Sequence, residues 1–433
     1  MGSTGWCRCV NAEMNAPSPP ANKPRSAALH RSLQQLRAQL APTLADGLLS
    51  LGLLTLIVWA VLQLLGWAIG RADWAVLQLN SMLLLVGRYP LAQQWRLWLL
   101  GGVLAAQAGL SWGLLRAWPR ADRREQARLW PRHDRIAAVL ITLLALLLPA
   151  ALGLAAPLQW RWWLLAAVLL ALRWAAGRWG AGLHRRRLKL LGLLWPLLYL
   201  LGFWLIGGGL GLAAVAPGDW GGLLLTLVMA SFAMALSFPL GVLLALGRRS
   251  DLPLLRWGSV AYIEFIRGAP LITLLFIGQN ILGFLLPAGM SPDRVWRAAW
   301  VLTLFAAAYL AEAVRSGLAA VPRGQLEAAR SLGLNQAQAL VTVVIPQALR
   351  VALPTMVGQF IALVQDTTLL SLIGLLDLLG MARGIMANPE FLGHSSELYL
   401  VLAVLYWCCC AALGLGSRAL ERRLDPRSLA GRP

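Results

Sequence analysis

The sequence predicts an all-α, polytopic membrane bundle of about ten transmembrane helices. Three observations lead there. Apolar residues make up 59% of the 433 and charged residues only 13%, whereas soluble domains carry about a quarter charged residues. Ten apolar segments approach the roughly 20 residues needed to cross a hydrocarbon core. The arginines gather in alternate connections, as basic residues do in loops on the cytoplasmic side.

Taken in order, residues 1–46 read as a cytoplasmic amino-terminal tail. It carries Pro17, Pro19, Pro20 and Pro24, and no apolar core of a cleavable signal before about Gly47. A short amphipathic helix is expected around Leu29 to Leu40, and Met14 is an alternative start. Five candidate spans follow at 47–69, 97–117, 136–156, 162–177 and 190–212, forming an amino-terminal five-span region, 47–217. The turn-forming stretch Ala216-Pro217-Gly218-Asp219 marks its boundary. A second set at 221–247, 257–286, 299–318, 355–375 and 398–417 occupies 218–418, ahead of a basic tail at 419–433. The fourth span is short, and the seventh is long and interrupted by Pro270.

Orientation follows from the arginines. Arg120, Arg123, Arg124, Arg128, Arg132 and Arg135 lie in one connection, and Arg185, Arg186, Arg187 and Lys189 in another. Arg248, Arg249 and Arg256 follow the sixth span, and Arg422, Arg423 and Arg427 the tenth. Ten spans with both termini inside put all of these on the cytoplasmic face. Residues 213–220 hold no Lys or Arg, and 376–397 only Arg383. The net charge of +20 is therefore topological. It suits anionic lipid headgroups and shows no aromatic-interleaved groove for nucleic acid. Trp95, Trp98, Trp160, Trp162, Trp163, Trp220, Trp257 and Trp296 fall near span ends, as interfacial anchors do.

Several chemistries are excluded. Cys7 and Cys9 lie in the tail, and the consecutive Cys408, Cys409 and Cys410 point to different helix faces, so no tetrahedral metal site or disulfide framework emerges. His30, His133, His184 and His394 are scattered, which leaves an integral membrane enzyme without a constellation to act through. The only lysines, Lys23 and Lys189, sit in no phosphate-binding loop, so ATP hydrolysis is not expected of this chain.

One polar connection, 320–350, stands out. Gln325 to Leu332 is a run of helix formers, and Gly333 sits where a left-handed cap would end the helix. Asn335 can cap a second short helix that Pro346 is expected to end, before re-entry at Pro354. The predicted product is an exposed helical hairpin.

This segment, with Glu327-Ala328-Ala329, three residues, Gly333, nine residues, and Val343, Ile345 and Pro346, resembles the "EAA" coupling loop of type I ABC importer permeases. Tyr262-Ile263-Glu264-Phe265-Ile266-Arg267-Gly268-Ala269-Pro270-Leu271 resembles a stretch of the polar amino acid branch. So do Ala311-Glu312-Ala313-Val314-Arg315-Ser316-Gly317 and Gln365-Asp366-Thr367-Thr368-Leu369-Leu370. The resemblance covers about 218–418, and the extra amino-terminal spans resemble those of larger permeases of general L-amino-acid importers. It implies that the last five helices form the permease core. It also implies that Glu327, Ala328, Ala329, Arg330, Gly333, Val343, Ile345 and Pro346 couple the chain to a separate ATPase. The partners so implied are a second permease, two ATPase subunits holding ATP and Mg, an outer-face solute-binding protein and an amino-acid substrate, in the inner (plasma) membrane.

Charged residues near the spans form the second informative set. Glu264 with Arg267, and Glu312 with Arg315, repeat a three-residue spacing that lets each pair neutralise itself. Asp366, followed by Thr367, is expected near the middle of the ninth span, where a charge staples the bundle or serves transport. The family commonly has Lys before that Asp; here Gln365 replaces it, so another basic group must answer Asp366. Pro270 and Gly358 are candidate helix breaks exposing backbone to a solute path. A self-contained secondary transporter is the alternative, with Asp366 its one candidate midplane coupling charge.

Overall fold

The computed structural model describes residues 43–117, 132–151, 156–179, 185–281, 284 and 292–424. The tail helix expected at 29–40, Arg120 to Arg128 and Arg427 lie outside the described residues. The chain divides into two units, Met1–Ala72 and Asp73–Pro433. The first contains α1 (Leu44–Gly70), whose Thr43 hydroxyl accepts the Asp46 amide at 3.2 Å as an N-cap.

The second unit is built of helices, with no strand beyond isolated bridges among its described residues. It runs α2 (Ala75–Val86), α3 (Trp95–Ala117), α4 (Arg132–Ala151), α5 (Ala156–Trp179) and α6 (Arg185–Gly207). After a turn at Pro217–Asp219 come α7 (Gly222–Gly247), α8 (Pro253–Gly268), α9 (Leu271–Phe276) with a wide π turn at Ile277–Ile281, and α10 (Arg294–Ala320). The chain closes with α11 (Arg323–Ser331), α12 (Gln336–Ala339), α13 (Ile345–Asp366), α14 (Leu378–Met386) and α15 (Ser395–Leu424). Six of the described spans are long and apolar enough to cross a bilayer, or seven if the bent α8–α9 pair counts as one.

Between membrane helices, lipid is as apolar as leucine, so association relies on close packing of small residues. The core is built that way. Ala299, Ala307, Ala308 and Ala311 of α10 are fully buried. A Cβ at Gly241 of α7 would meet the Leu310 Cβ at 2.8 Å, and one at Gly317 would strike the Ala348 carbonyl of α13. Gly109 and Gly113 of α3 do the same against the Leu169 and Arg173 carbonyls of α5. Where aromatic volume replaces small residues, Phe203 of α6 meets Phe232 of α7 and Trp296 of α10, and Trp296 also meets Trp220, all with ring centroids within 6.3 Å. Tyr89, Ile206 and Val215 share that cluster with Leu225 and Leu302.

Several expected boundaries need correction. Residues 70–96, read as a connection, contain α2, too short at 12 residues to register as a span. The helix at the fourth expected span has 24 residues, but its arginines and tryptophans interrupt the apolar run, and it is not among the helices long and apolar enough to cross a bilayer. The fifth ends at Gly207, where Gly208, Gly209 and Gly211 take positive φ. The seventh is two helices at 104°: Ala269, forced into extended backbone by Pro270, ends α8. Gly358 breaks nothing and lies inside α13. Residues 376–397, read as a loop, carry α14.

Candidate functional site

The polar connection forms a hairpin held by local hydrogen bonds. α11 ends where the Gly333 amide donates to the Arg330 carbonyl (2.9 Å) and the Leu334 amide to the Ala329 carbonyl (3.3 Å). This is the glycine-capped reversal, with Gly333 at φ +83°. A Cβ there would meet nothing within 4 Å, so backbone conformation, not crowding, demands glycine. Asn335 then accepts the Gln338 amide at 2.8 Å while its own amide donates to Gln338 Oε1 at 3.1 Å, a reciprocal capping box.

Pro346 does not end the second helix. The chain passes from α12 through a π turn, Leu340–Val344, into α13, with Pro346 in the first turn. A missing amide costs little there.

The hairpin is anchored on one side and open on the other. Ala329, Ala339 and Val344 are buried, Leu326 and Leu340 join the cluster of Leu318 and Ala348, and Gln347 Nε2 donates to Gln325 Oε1 at 3.1 Å. Glu327, Ala328, Arg330, Gly333 and Pro346 are exposed, while Val343 and Ile345 are half-buried. Leu332 is 83% exposed and Val341 60%. Among the described residues neither Glu327 nor Arg330 forms an ion pair, and the Ser331 hydroxyl donates to the Glu327 carbonyl. The two adjacent alanines thus have different reasons: Ala329 fits against the bundle, and Ala328 leaves the outer face low.

Directly above the hairpin, charges from three helices converge. Glu312 of α10 receives Arg248 from the end of α7 (NH1 to Oε1, 2.6 Å), Arg315 (Nε to Oε2, 2.9 Å) and Arg267 of α8 (3.9 Å). Arg248 also meets Glu264 at 3.3 Å, Arg267 lies over the Tyr309 ring at 5.6 Å, and Arg249 NH1 donates to the Leu318 carbonyl. The expected Glu312–Arg315 pair forms, but Glu264 and Arg267 do not pair; the α7 terminus draws Glu264 away. Three guanidiniums face two carboxylates, leaving one positive charge.

A relationship to known proteins follows the same residues. The family described as binding-protein-dependent transport system inner membrane component matches residues 237–426. A probable glutamine ABC transporter permease protein of Bacillus subtilis (strain 168) is 36% identical over 205 residues, 47% of this chain and 92% of that relative. The chain belongs to the amino-acid ABC transporter permeases. An inner membrane amino-acid ABC transporter permease protein of Escherichia coli (strain K12) is 44% identical over 233 residues, 53% of this chain and 64% of the relative. A glutamate/glutamine/aspartate/asparagine transport system permease of Rhodobacter capsulatus is 44% identical over 216 residues, half of each chain. The chain thus spans between half and two thirds of these two relatives' length. An amino acid ABC transporter crystal structure matches 47% of this chain and 92% of its own at 32% identity, with a TM-score of 0.42.

The remaining sites of this permease separate cleanly. Asp366 is the last residue of α13, where the chain tightens into a 3-10 turn from Thr367 to Ile373 that continues the same apolar segment. It borders a shallow groove with Phe305, Tyr309, Gln359 and Phe360, and no described cation is in ion-pair range. Thr367 is fully buried and its hydroxyl donates to the Val364 carbonyl, which serves the helix turn. Sequence reasoning missed Arg248, read only as a topological arginine, and Asp377. The Asp377 carboxylate caps α14 by accepting the Gly380 and Leu379 amides, and the Tyr406 hydroxyl lies at 3.5 Å. Burial outweighs those bonds and pushes its carboxyl up to about 7.

Proposed function

We propose that this chain is the membrane-spanning permease subunit of an ATP-driven importer of polar or general L-amino acids. The observation that carries the reading is the exposed, doubly capped hairpin at 323–344, pinned to the bundle on one side only. Glu327, Ala328, Arg330 and Gly333 present its contact face to a separate ATPase, which holds ATP and Mg. Ala329, Val343, Ile345 and Pro346 set its seat. The hairpin and Arg248, Arg249 and Arg256 belong to the cytoplasmic side, with both termini there, in the inner (plasma) membrane. A second permease, two ATPase subunits and an outer-face solute-binding protein complete the assembly. Residues 47–217 form an accessory five-span region, and 218–418 the permease core.

Arg248, Glu264, Arg267, Glu312 and Arg315 form a latch between helix ends above the hairpin. Movement of α11 is felt there, because α10 leads from Glu312 to the hairpin with only the extended Val321 and Pro322 between them. Asp366, with Phe305, Tyr309 and Phe360, offers a carboxylate and aromatic faces to a substrate ammonium. Reconstitution with the cognate subunits tests the reading. ATP-dependent uptake of labelled L-amino acids is expected, and uptake by this chain alone without ATP would refute it.

A further inference from the structure

The end of α10 away from the hairpin carries two arginines in unusual company. α10 has 27 residues, so Arg294 and Arg297 lie about 40 Å from the hairpin at 1.5 Å per residue. Among the described residues, neither has a carboxylate within ion-pair range. Both bind backbone instead: Arg294 NH2 donates to the Ile373 carbonyl at 2.8 Å, and Arg297 NH1 to the Gln279 carbonyl at 2.5 Å.

Gln279 sits in the π turn at Ile277–Ile281, a widened geometry that recurs at functional sites. It is 7% exposed. Its Nε2 donates to the Arg294 carbonyl at 2.6 Å, which fixes the amide orientation and leaves Oε1 as an acceptor. That Oε1 is buried without a partner, and so is Arg297 Nε. An unfilled buried acceptor and an unfilled buried donor are each costly when left dry. Here they lie on two residues already bonded to each other.

We propose that Gln279, Arg294 and Arg297 form an entry site for the zwitterionic head group of an α-amino acid. The carboxylate takes the guanidinium donors, above all Arg297 Nε, and the ammonium donates to Gln279 Oε1. The site reads the backbone that all α-amino acids share, not the side chain. It rests on the importer reading and deepens it: a solute released at the outer face meets this group before any site deeper in the bundle. Filling it requires α9 and α10 to part at that end, because the two atoms are closed off in this conformation.

The probe is glycine, the head group itself, presented to the purified permease–ATPase complex in lipid nanodiscs without solute-binding protein. Saturation-transfer-difference NMR compares glycine with glycinamide, which lacks the carboxylate, and acetate, which lacks the ammonium. Glycine is expected to bind about tenfold more tightly than either, the loss due to one charge-assisted contact. Arg297→Gln should bring glycine down to the glycinamide level, and Gln279→Met down to the acetate level. Equal binding of the three probes by the wild type overturns the site without recourse to any variant, as does an Arg297→Gln complex that keeps the glycine preference. ATP-driven uptake of labelled L-amino acids by the same complex with its binding protein is measured in parallel. Uptake without a glycine preference refutes the entry site alone; absent uptake refutes the importer reading beneath it.

Discussion

The two ends of α10 hold arginines in opposite circumstances. At the hairpin end, Arg248, Arg267 and Arg315 crowd one carboxylate, Glu312, whose side chain is only 18% exposed. At the other end, among the described residues, Arg294 and Arg297 reach carbonyls and no carboxylate, beside an unfilled amide oxygen. An arginine neutralised by its own chain ties helices together. One left with backbone acceptors keeps its charge for something else. The same residue type therefore marks a latch at one end and a receptor at the other.

The sharpest way to break this contrast is to remove the shared carboxylate. Glu312→Gln leaves three guanidiniums with Glu264 as their one remaining carboxylate and should lower the stability of the purified complex by on the order of 2–3 kcal/mol, toward the low end for breaking a mostly buried pair. A melting shift within error would show that Glu312 is no hub. Next comes coupling: a double-mutant cycle of Arg248→Gln with Glu312→Gln should give an interaction energy of about 1–2 kcal/mol. The same cycle with Arg297→Gln should be additive, since about 22 Å of helix separates Arg297 from Glu312.

A smaller effect concerns Asp377, which caps α14 near the receptor end. Its carboxyl is raised to about 7 from an ordinary 3.8, so the folded chain holds a proton that the unfolded chain has released between those values. Its contribution to stability is full below about pH 4, declines as pH rises through 7, and is flat above. Thermal melting of the wild type should show that decline, and Asp377→Asn should flatten it. Smallest of all, Pro346→Ala should change stability by less than about 0.5 kcal/mol, because the proline occupies a first turn where no amide is needed. A large loss would mean that Pro346 shapes the π turn before it.

What the sequence made legible was local. Gly333 and Asn335 announce the hairpin because a left-handed cap and an N-cap lie two residues apart. Pro270 announces the break between α8 and α9 because it constrains the residue before it. Pro346 and Pro354 misled in the other direction, since one sits in a first turn and the other is carried inside α13. Pairings across the chain were not legible. Arg248 and Glu312 are 64 residues apart, and a three-residue spacing favoured Glu264–Arg267 until the end of α7 competed for the glutamate. Gln279 carried no signal at all: a lone glutamine in an apolar run gives no hint of a π turn or of the arginine one helix later.

The proposed transmission of force from a separate ATPase through the hairpin turns on Gly333. Its positive φ costs most other residues about 1–2 kcal/mol and asparagine less, while an added Cβ meets nothing within 4 Å. Tagged complexes of wild type, Gly333→Asn and Gly333→Asp are purified from native membranes in mild detergent, and the ATPase retained is quantified alongside uptake. The expected result is ATPase retained by the wild type, reduced in Gly333→Asn, and lost together with uptake in a Gly333→Asp chain that still inserts. Full retention of the ATPase and normal uptake kinetics in Gly333→Asp would contradict it.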